Sequence, residues 1–127
     1  MLKGILIGCG YWGLNLLRNF NDVSEIKAVV DPAFVGANRQ GFLVTADYEN
    51  LLNDSSIDFV VIATPPSTHY EVVKRCLIAG KHVFVEKPLT VVSTEAEELV
   101  QLAKAKGLCL MVDHTFEYSS PVIKIKE

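Results

Sequence analysis

Three glycines near the start of the chain have the spacing G-x-G-x-x-G: Gly8, Gly10 and Gly13. Apolar residues at positions 5–7 precede them, and apolar residues at helical spacing follow within positions 14–20. This order of strand, turn and helix predicts a loop that binds the pyrophosphate of a dinucleotide. The first glycine permits the tight turn, the second lets phosphate approach the backbone, and the third lets the helix pack closely. The free N–H groups and the dipole at the start of the helix favour negative charge.

Asp31 is the second candidate for chemistry. It follows a predicted strand at residues 25–30 and lies eighteen residues after Gly13. In dinucleotide-binding folds, an acidic side chain at about this distance accepts hydrogen bonds from the adenosine ribose hydroxyls. A carboxylate there also repels the 2′-phosphate of NADP, because two like charges about 4 Å apart cost roughly 4 kcal/mol at an effective dielectric of about 20. The next basic residue is Arg39, so we predict NAD, with NADP the less favoured cofactor. The alternative for the glycines and for Asp31 is an ordinary turn without a ligand.

The composition is that of an ordinary globular chain. Its 127 residues are half hydrophobic, and the formal net charge is −3. This length suits one domain, and the charge provides no basic surface for nucleic acid or for an anionic membrane. We therefore predict a small molecule as the partner, with no nucleic acid and no membrane.

Cysteine usage bears on the compartment and on metal binding. The three cysteines, Cys9, Cys76 and Cys109, are odd in number and do not have the spacing of a zinc site. We predict that Cys76 and Cys109 are buried thiols, that Cys9 belongs to the glycine turn, and that the chain holds no metal. No signal peptide or transmembrane run is visible, which favours a reducing cytoplasm.

Predicted strands alternate with predicted helices along the whole chain, which indicates an α/β fold with a doubly wound, mostly parallel sheet. The predicted strands comprise residues 5–7, 25–30, 42–45, 58–63, 82–85 and 108–112. The predicted helices follow Gly13 and comprise residues 32–41 (weakly), 47–53, 68–79 and 94–106, with another beginning at Pro121. Thr68 with Glu71, and Thr94 with Glu97, predict capping boxes at two helix starts. We predict one dinucleotide-binding domain at residues 1–120, with residues 121–127 beginning a helix that leads to a second domain.

Three segments resemble a known family along essentially the whole chain. Ile-Gly-Cys-Gly-Tyr-Trp-Gly at 7–13, Ala-Thr-Pro-Pro-Ser-Thr-His at 63–69 and Glu-Lys-Pro at 86–88 are similar to motifs in the N-terminal half of the Gfo/Idh/MocA oxidoreductases. The resemblance implies a Rossmann domain of an NAD(P)-dependent dehydrogenase that acts on sugars, cyclitols or sugar nucleotides. It also implies a C-terminal α/β domain, absent from this chain, and a homo-oligomeric full-length protein.

The resemblance also assigns roles to particular residues. The cofactor-binding positions that it implies are Gly8, Gly10, Tyr11, Trp12, Gly13, Asp31, Thr64, Pro65, His69 and Glu86. Lys87 and Glu86 are the implied catalytic residues near the nicotinamide, and Lys87 and His114 are the implied substrate contacts. In this family the proline that corresponds to Pro88 often follows a cis peptide bond.

Lys87 follows a strand, so it should reach the crevice at the carboxyl edge of the sheet. An ammonium there can hydrogen-bond a substrate hydroxyl and stabilise the alkoxide that develops as hydride leaves. Each assignment has a structural alternative. Glu86 and Lys87 could belong to a strand-end salt bridge, His69 could be a half-exposed histidine at a helix start, and His114 could lie in a loop without contacts.

Three functions remain open from the sequence. The first is the nucleotide-binding part of a dehydrogenase, with little or no turnover alone because the C-terminal domain is absent. The second is a non-catalytic dinucleotide-binding or sensing module. The third is an enzyme of the same family that uses NAD for hydrolysis. The resemblance near His114 to Pro121 slightly favours family members that act on sugar nucleotides.

Overall fold

The computed structural model describes residues 1–34 and 42–127. Its strands are β1 (Lys3–Ile7), β2 (Glu25–Val30), β3 (Leu43–Thr45), β4 (Phe59–Ile62), β5 (His82–Glu86) and β6 (Leu110–Asp113). Its α-helices are α1 (Tyr11–Val23), α2 (Glu49–Leu52), α3 (His69–Ile78), α4 (Ser93–Lys106) and α5 (Ser120–Lys126). Short 3₁₀ turns lie at Pro32–Phe34, Pro66–Thr68 and Thr115–Tyr118.

The strands form one parallel sheet of six in the order β3-β2-β1-β4-β5-β6. This arrangement confirms the predicted doubly wound α/β fold. β1 and β4 lie at the centre and are almost entirely buried, as expected for parallel strands covered on both faces. The strand order reverses between β1 and β4, and open α/β sheets bind ligands outside the carboxyl ends of the strands at such a point.

The hydrophobic core has one part on each face of the sheet, because successive strand residues point to opposite sides. One part contains Ile5 and Ile7 of β1 together with the buried face of α3 and α4. The other contains Leu6 of β1 and Leu16 of α1. The predicted inward residues of α3 are all buried, namely Val72, Val73, Cys76 and Leu77.

Most predicted elements are confirmed within a few residues at their ends. The helix predicted weakly at 32–41 is a 3₁₀ turn at Pro32–Phe34, and the remainder of that prediction lies outside the described residues. The loop predicted after β6 contains the 3₁₀ turn Thr115–Tyr118. Pro121 lies in the first turn of α5, as predicted.

Both predicted capping boxes are wrong. Neither α3 nor α4 has a side-chain hydrogen bond at its N-cap among the described residues. The Thr68 hydroxyl lies 2.7 Å from Pro65 O and 2.7 Å from the Thr64 hydroxyl, because the chain enters α3 through a 3₁₀ turn. α4 begins at Ser93, so Thr94 lies inside the first turn and its side chain cannot act as the cap.

The cysteine predictions have mixed outcomes. Cys76 is buried as predicted, and burial raises the pKa of its thiol to about 12. The prediction for Cys109 is wrong, since this residue is exposed. It lies just before β6, the outer strand of the described sheet, so it has a neighbouring strand on one side only. Within residues 1–34 and 42–127, no helix has the length and apolarity needed to cross a membrane.

Lys81, which directly precedes β5, forms hydrogen bonds with the segment that leads into β4. Its side chain is 5% exposed, and Nζ donates to Asp54 O at 2.7 Å and to Ile57 O at 2.8 Å. We expect Lys81→Met to lower the free energy of unfolding by about 2 kcal/mol, because two carbonyls lose a charged donor. Urea denaturation measures this loss. The control Lys106→Met removes one exposed bond to Ile78 O and should cost at most about 0.5 kcal/mol; equal losses would contradict the prediction.

Candidate functional site

The glycine turn lies at the carboxyl end of β1 and brings α1 directly against the strand. Gly8 has a φ of +89°, and its N–H donates to Val30 O at 2.9 Å. A Cβ on Gly8 would lie 2.6 Å from Ala63 O, and one on Gly13 would lie 2.3 Å from Gly8 O. These two positions therefore require glycine for steric reasons.

Gly10 differs from the other two glycines because the position that its Cβ would occupy is open. A Cβ built on it meets no described atom within 4 Å. Gly10 is the N-cap of α1, and no described side chain caps this helix or places a negative charge in its first turn. The first N–H groups of a helix have no partner within the helix, so those of Tyr11 and Trp12 are available to an anion.

Asp31 lies at the carboxyl end of β2 and faces this turn. Its carboxylate accepts the N–H of Cys9 at 2.7 Å and the N–H of Ala33 at 2.9 Å. An ionised carboxylate has about four acceptor positions, so Asp31 can hold the turn and still accept hydroxyl groups from a ligand.

The turn and Asp31 line one cavity of about 620 Å³. This volume is typical of small-molecule sites. Residues predicted for cofactor binding that line it are Gly8, Gly10, Tyr11, Trp12, Asp31, Thr64 and Pro65. Residues that the sequence reasoning missed are Ile7, Cys9, Val30, Pro32, Ala46, Tyr48, Ala63 and Val72. Their common signal is that most lie at or just beyond the carboxyl ends of β1–β4.

Three predicted cofactor residues lie elsewhere. Gly13 is packed against the turn beneath the cavity. His69 is fully buried, and its ring nitrogens contact Thr64 O and Pro88 O. Glu86 lies further along the edge, at the end of β5.

Glu86 is paired with Asp113, the last residue of β6, in the register of the two strands. Both carboxyl groups are half-buried. Burial, together with the hydrogen bond and negative charge of Asp113, raises the pKa of Glu86, and Lys87 only partly opposes this. Asp113 was not predicted as a site residue, although its position at a strand end on the same edge was visible in the sequence.

Lys87 and His114 come together in a second cavity of about 360 Å³, which Thr115, Phe116, Glu117 and Val122 also line. Both side chains are exposed. The peptide bond between Lys87 and Pro88 is cis, a state that the sequence had left open. The carboxyl edge therefore presents Asp31, the glycine turn, Thr64 and Lys87 in spatial order from β2 to β5.

This arrangement fits a dinucleotide. Neighbouring strands are about 4.8 Å apart, so β5 lies roughly 10 Å from β1. An anion at the start of α1 would have Asp31 on one side, near a ribose, and Thr64 and Lys87 on the other.

Comparisons with known proteins agree with this geometry. A model of the GFO_IDH_MocA oxidoreductase family, described as having an NAD-binding Rossmann fold, matches residues 2–114. The scyllo-inositol 2-dehydrogenase (NADP(+)) IolW of Bacillus subtilis is 38% identical over 84 residues, which are 66% of this chain and 24% of that enzyme.

Solved structures share the fold over nearly the whole chain. An NAD-binding protein from Listeria innocua has a TM-score of 0.89 and 30% identity over 99% of this chain and 39% of its own. The UDP-N-acetylglucosamine 3-dehydrogenase GnnA of Acidithiobacillus ferrooxidans has a TM-score of 0.85 and 27% identity, covering 98% of this chain and 42% of its own. The chain thus spans less than half the length of each of these relatives.

The carboxyl pair predicts a particular dependence of stability on pH. Because the pKa of Glu86 is raised in the folded state, the folded chain holds a proton that the unfolded chain releases near pH 4.5, the ordinary value. Stability then falls as pH rises from that value through the folded pKa. Asp113→Asn removes the neighbouring charge. We therefore expect the unfolding free energy of this variant to fall less than that of the wild type as pH rises.

Urea denaturation between about pH 4 and pH 8 measures this difference. In a Glu86→Gln background, the same Asp113→Asn change should lose the part of its pH dependence that Glu86 contributes. If the difference in unfolding free energy between wild type and Asp113→Asn stayed constant across this pH range, Asp113 would not be a cause of the raised pKa of Glu86.

Proposed function

This chain belongs to the Gfo/Idh/MocA oxidoreductase family, and on that premise we propose that its carboxyl-edge crevice binds NAD as the cofactor part of a dehydrogenase for a sugar, cyclitol or sugar nucleotide. The observation that carries the proposal is the open side of Gly10. The uncapped start of α1 and the carboxylate of Asp31 flank it within one cavity.

The pyrophosphate is assigned to the start of α1. Its oxygens would accept the backbone N–H groups of Tyr11 and Trp12, and the helix dipole would favour its charge. A side chain at position 10 would take the space next to these groups, which explains why an exposed position holds glycine.

The preference for NAD over NADP is assigned to Asp31. Hydrogen bonds from Cys9 and Ala33 hold its carboxylate at the rim of the cavity, where it can accept the ribose hydroxyls. A 2′-phosphate at the same place would meet a fixed negative charge. IolW, by its name, uses NADP(+), so this preference is an assignment for this chain and not for the family.

The proposed chemistry takes place beside Lys87. The bound nicotinamide would supply the hydride acceptor. Lys87 would donate a hydrogen bond to the substrate oxygen and stabilise it as negative charge develops there. The hydroxyl proton would leave to water or to a base outside these 127 residues. His114 lies in the same cavity and would contact the substrate on the β6 side. Because the chain spans less than half of its relatives' length, we propose that these 127 residues bind the cofactor with little or no turnover by themselves.

The proposed substrate class follows from hydroxyl recognition by Lys87 and His114. Two of the relatives are named for a cyclitol and for a sugar nucleotide. These names support polyhydroxylated substrates as a class.

Gly10→Ala tests the pyrophosphate assignment. The backbone of Gly10 has φ −73° and ψ −157°, which alanine adopts without strain, so stability should change little. We expect NADH affinity to fall about tenfold or more, because one or two hydrogen bonds to a charged group are lost. Trp12 is the sole tryptophan of the sequence and lines the cavity, so quenching of its fluorescence measures binding. Unchanged NADH affinity would contradict the assignment of the pyrophosphate to the start of α1.

The matched control is Gly13→Ala, whose new methyl group would lie 2.3 Å from Gly8 O. It should lower the free energy of unfolding by about 1–3 kcal/mol through overpacking. The two variants therefore separate binding from folding at neighbouring glycines.

Asp31→Asn tests the cofactor preference. The amide keeps an oxygen for the Cys9 N–H but removes the charge. We expect the ratio of NADPH to NADH affinity to rise about tenfold to a hundredfold, which is less than the full Coulomb estimate because Asp31 is partly exposed. The control is Asp58→Asn, a carboxylate that accepts the N–H of Lys3 at 2.7 Å at the opposite edge of the sheet. If the ratio stayed the same in both variants, the preference would not depend on Asp31.

A further inference from the structure

His69 is a buried polar residue that the proposed chemistry does not use. It begins α3 and has no exposed surface. Its Nδ1 lies 2.6 Å from Pro88 O, and its Nε2 lies 2.9 Å from Thr64 O. The ring therefore uses both of its polar atoms on backbone carbonyls and cannot reach a ligand directly.

The two carbonyls belong to different parts of the crevice. Thr64 follows β4 and lines the cavity assigned to the cofactor. Pro88 follows β5 and is the neighbour of Lys87, which lines the second cavity. His69 thus spans the two loops that hold the cofactor wall and the proposed substrate contact.

The chemistry of these contacts is directional. A carbonyl oxygen only accepts, and a neutral imidazole carries a single N–H. The ring therefore donates to both carbonyls at once only when each of its nitrogens carries a proton. The ring is planar and rigid, so it fixes the separation of its two partners. Buried polar groups are costly when unpaired, which penalises movement of either loop away from the ring.

We propose that His69, with a proton on each ring nitrogen, is a positioning residue that donates to both the Thr64 carbonyl and the Pro88 carbonyl and so fixes Lys87 relative to the cofactor cavity. The positioning of Lys87 for catalysis rests on the proposed function, whereas the two contacts of His69 belong to the folded chain whether or not it binds a cofactor. This positioning role is different from a direct cofactor contact, the role that the resemblance implied for His69.

Three substitutions of His69 remove its two hydrogen bonds either one at a time or together. Asparagine places its amide nitrogen where Nδ1 lies, so His69→Asn can keep the bond to Pro88 and lose the one to Thr64. Glutamine places its amide nitrogen where Nε2 lies, so His69→Gln can keep the bond to Thr64 and lose the one to Pro88. His69→Leu loses both. The control, His82→Gln, changes an exposed histidine at the opposite end of β5.

Amide hydrogen exchange, followed by NMR, provides the readout at Thr64 and Thr68 in the wall and at Lys87 and Leu89 in the loop. We expect His69→Gln to speed exchange about tenfold in the loop only, and His69→Asn to do so in the wall only. His69→Leu should affect both segments, and His82→Gln neither.

A purely space-filling role would give a different result. The smallest side chain, asparagine, would then disturb both segments more than glutamine or leucine would, and the proposal would be overturned. Equal effects of all three His69 variants, or no effect, would also overturn it.

NADH titration of the wild-type chain keeps this test separate from the proposed function. If NADH fails to bind while the reciprocal exchange pattern appears, the proposed function fails and the positioning role of His69 stands. If NADH binds and the reciprocal pattern is missing, the positioning role fails alone.

Discussion

The close contact between Gly13 and Gly8 is the constraint on which the site depends. A Cβ on Gly13 would lie 2.3 Å from Gly8 O. α1 can therefore begin this close to the turn only because position 13 has no side chain. The positive φ of Gly8 and the hydrogen bond from its N–H to Val30 O then hold the turn that joins β1 to α1 against the end of β2. As a result, the start of a helix points into the middle of the carboxyl edge, where its N–H groups and dipole are available to an anion.

The remaining parts of the site are distributed over neighbouring strands because a parallel sheet places all carboxyl ends on one edge. Asp31 comes from β2, Thr64 follows β4, and Lys87 follows β5. Each segment is short and enters the edge from a buried strand, so the sheet sets the spacing between the side chains. The hydrogen bond from Cys9 to Asp31 and the two contacts of His69 then join segments that are distant in sequence.

The sequence predicted the features that depend on local pattern. Apolar runs predicted the strands of the sheet, and the spacing of the glycines and Asp31 predicted that Gly8, Gly10 and Asp31 lie together, as they do in the larger cavity. The family resemblance, and not the spacing, added Tyr11, Trp12, Thr64 and Pro65. It could not predict contacts set by packing between elements. The Thr68 hydroxyl turns to Pro65 and not to its own helix, Cys109 is exposed because β6 is an outer strand, and His69 and Asp113 acquire their partners only when β4, β5 and β6 come together.

The central claim is that the turn at residues 8–13 and Asp31 form a dinucleotide site. Isothermal titration calorimetry of the folded 127-residue chain with NADH tests this claim most directly. We expect a saturable heat of binding that fits one cofactor per chain. A chain shown to be folded by circular dichroism that gives no binding heat with NADH at about millimolar concentration, where even weak complexes form, would contradict it.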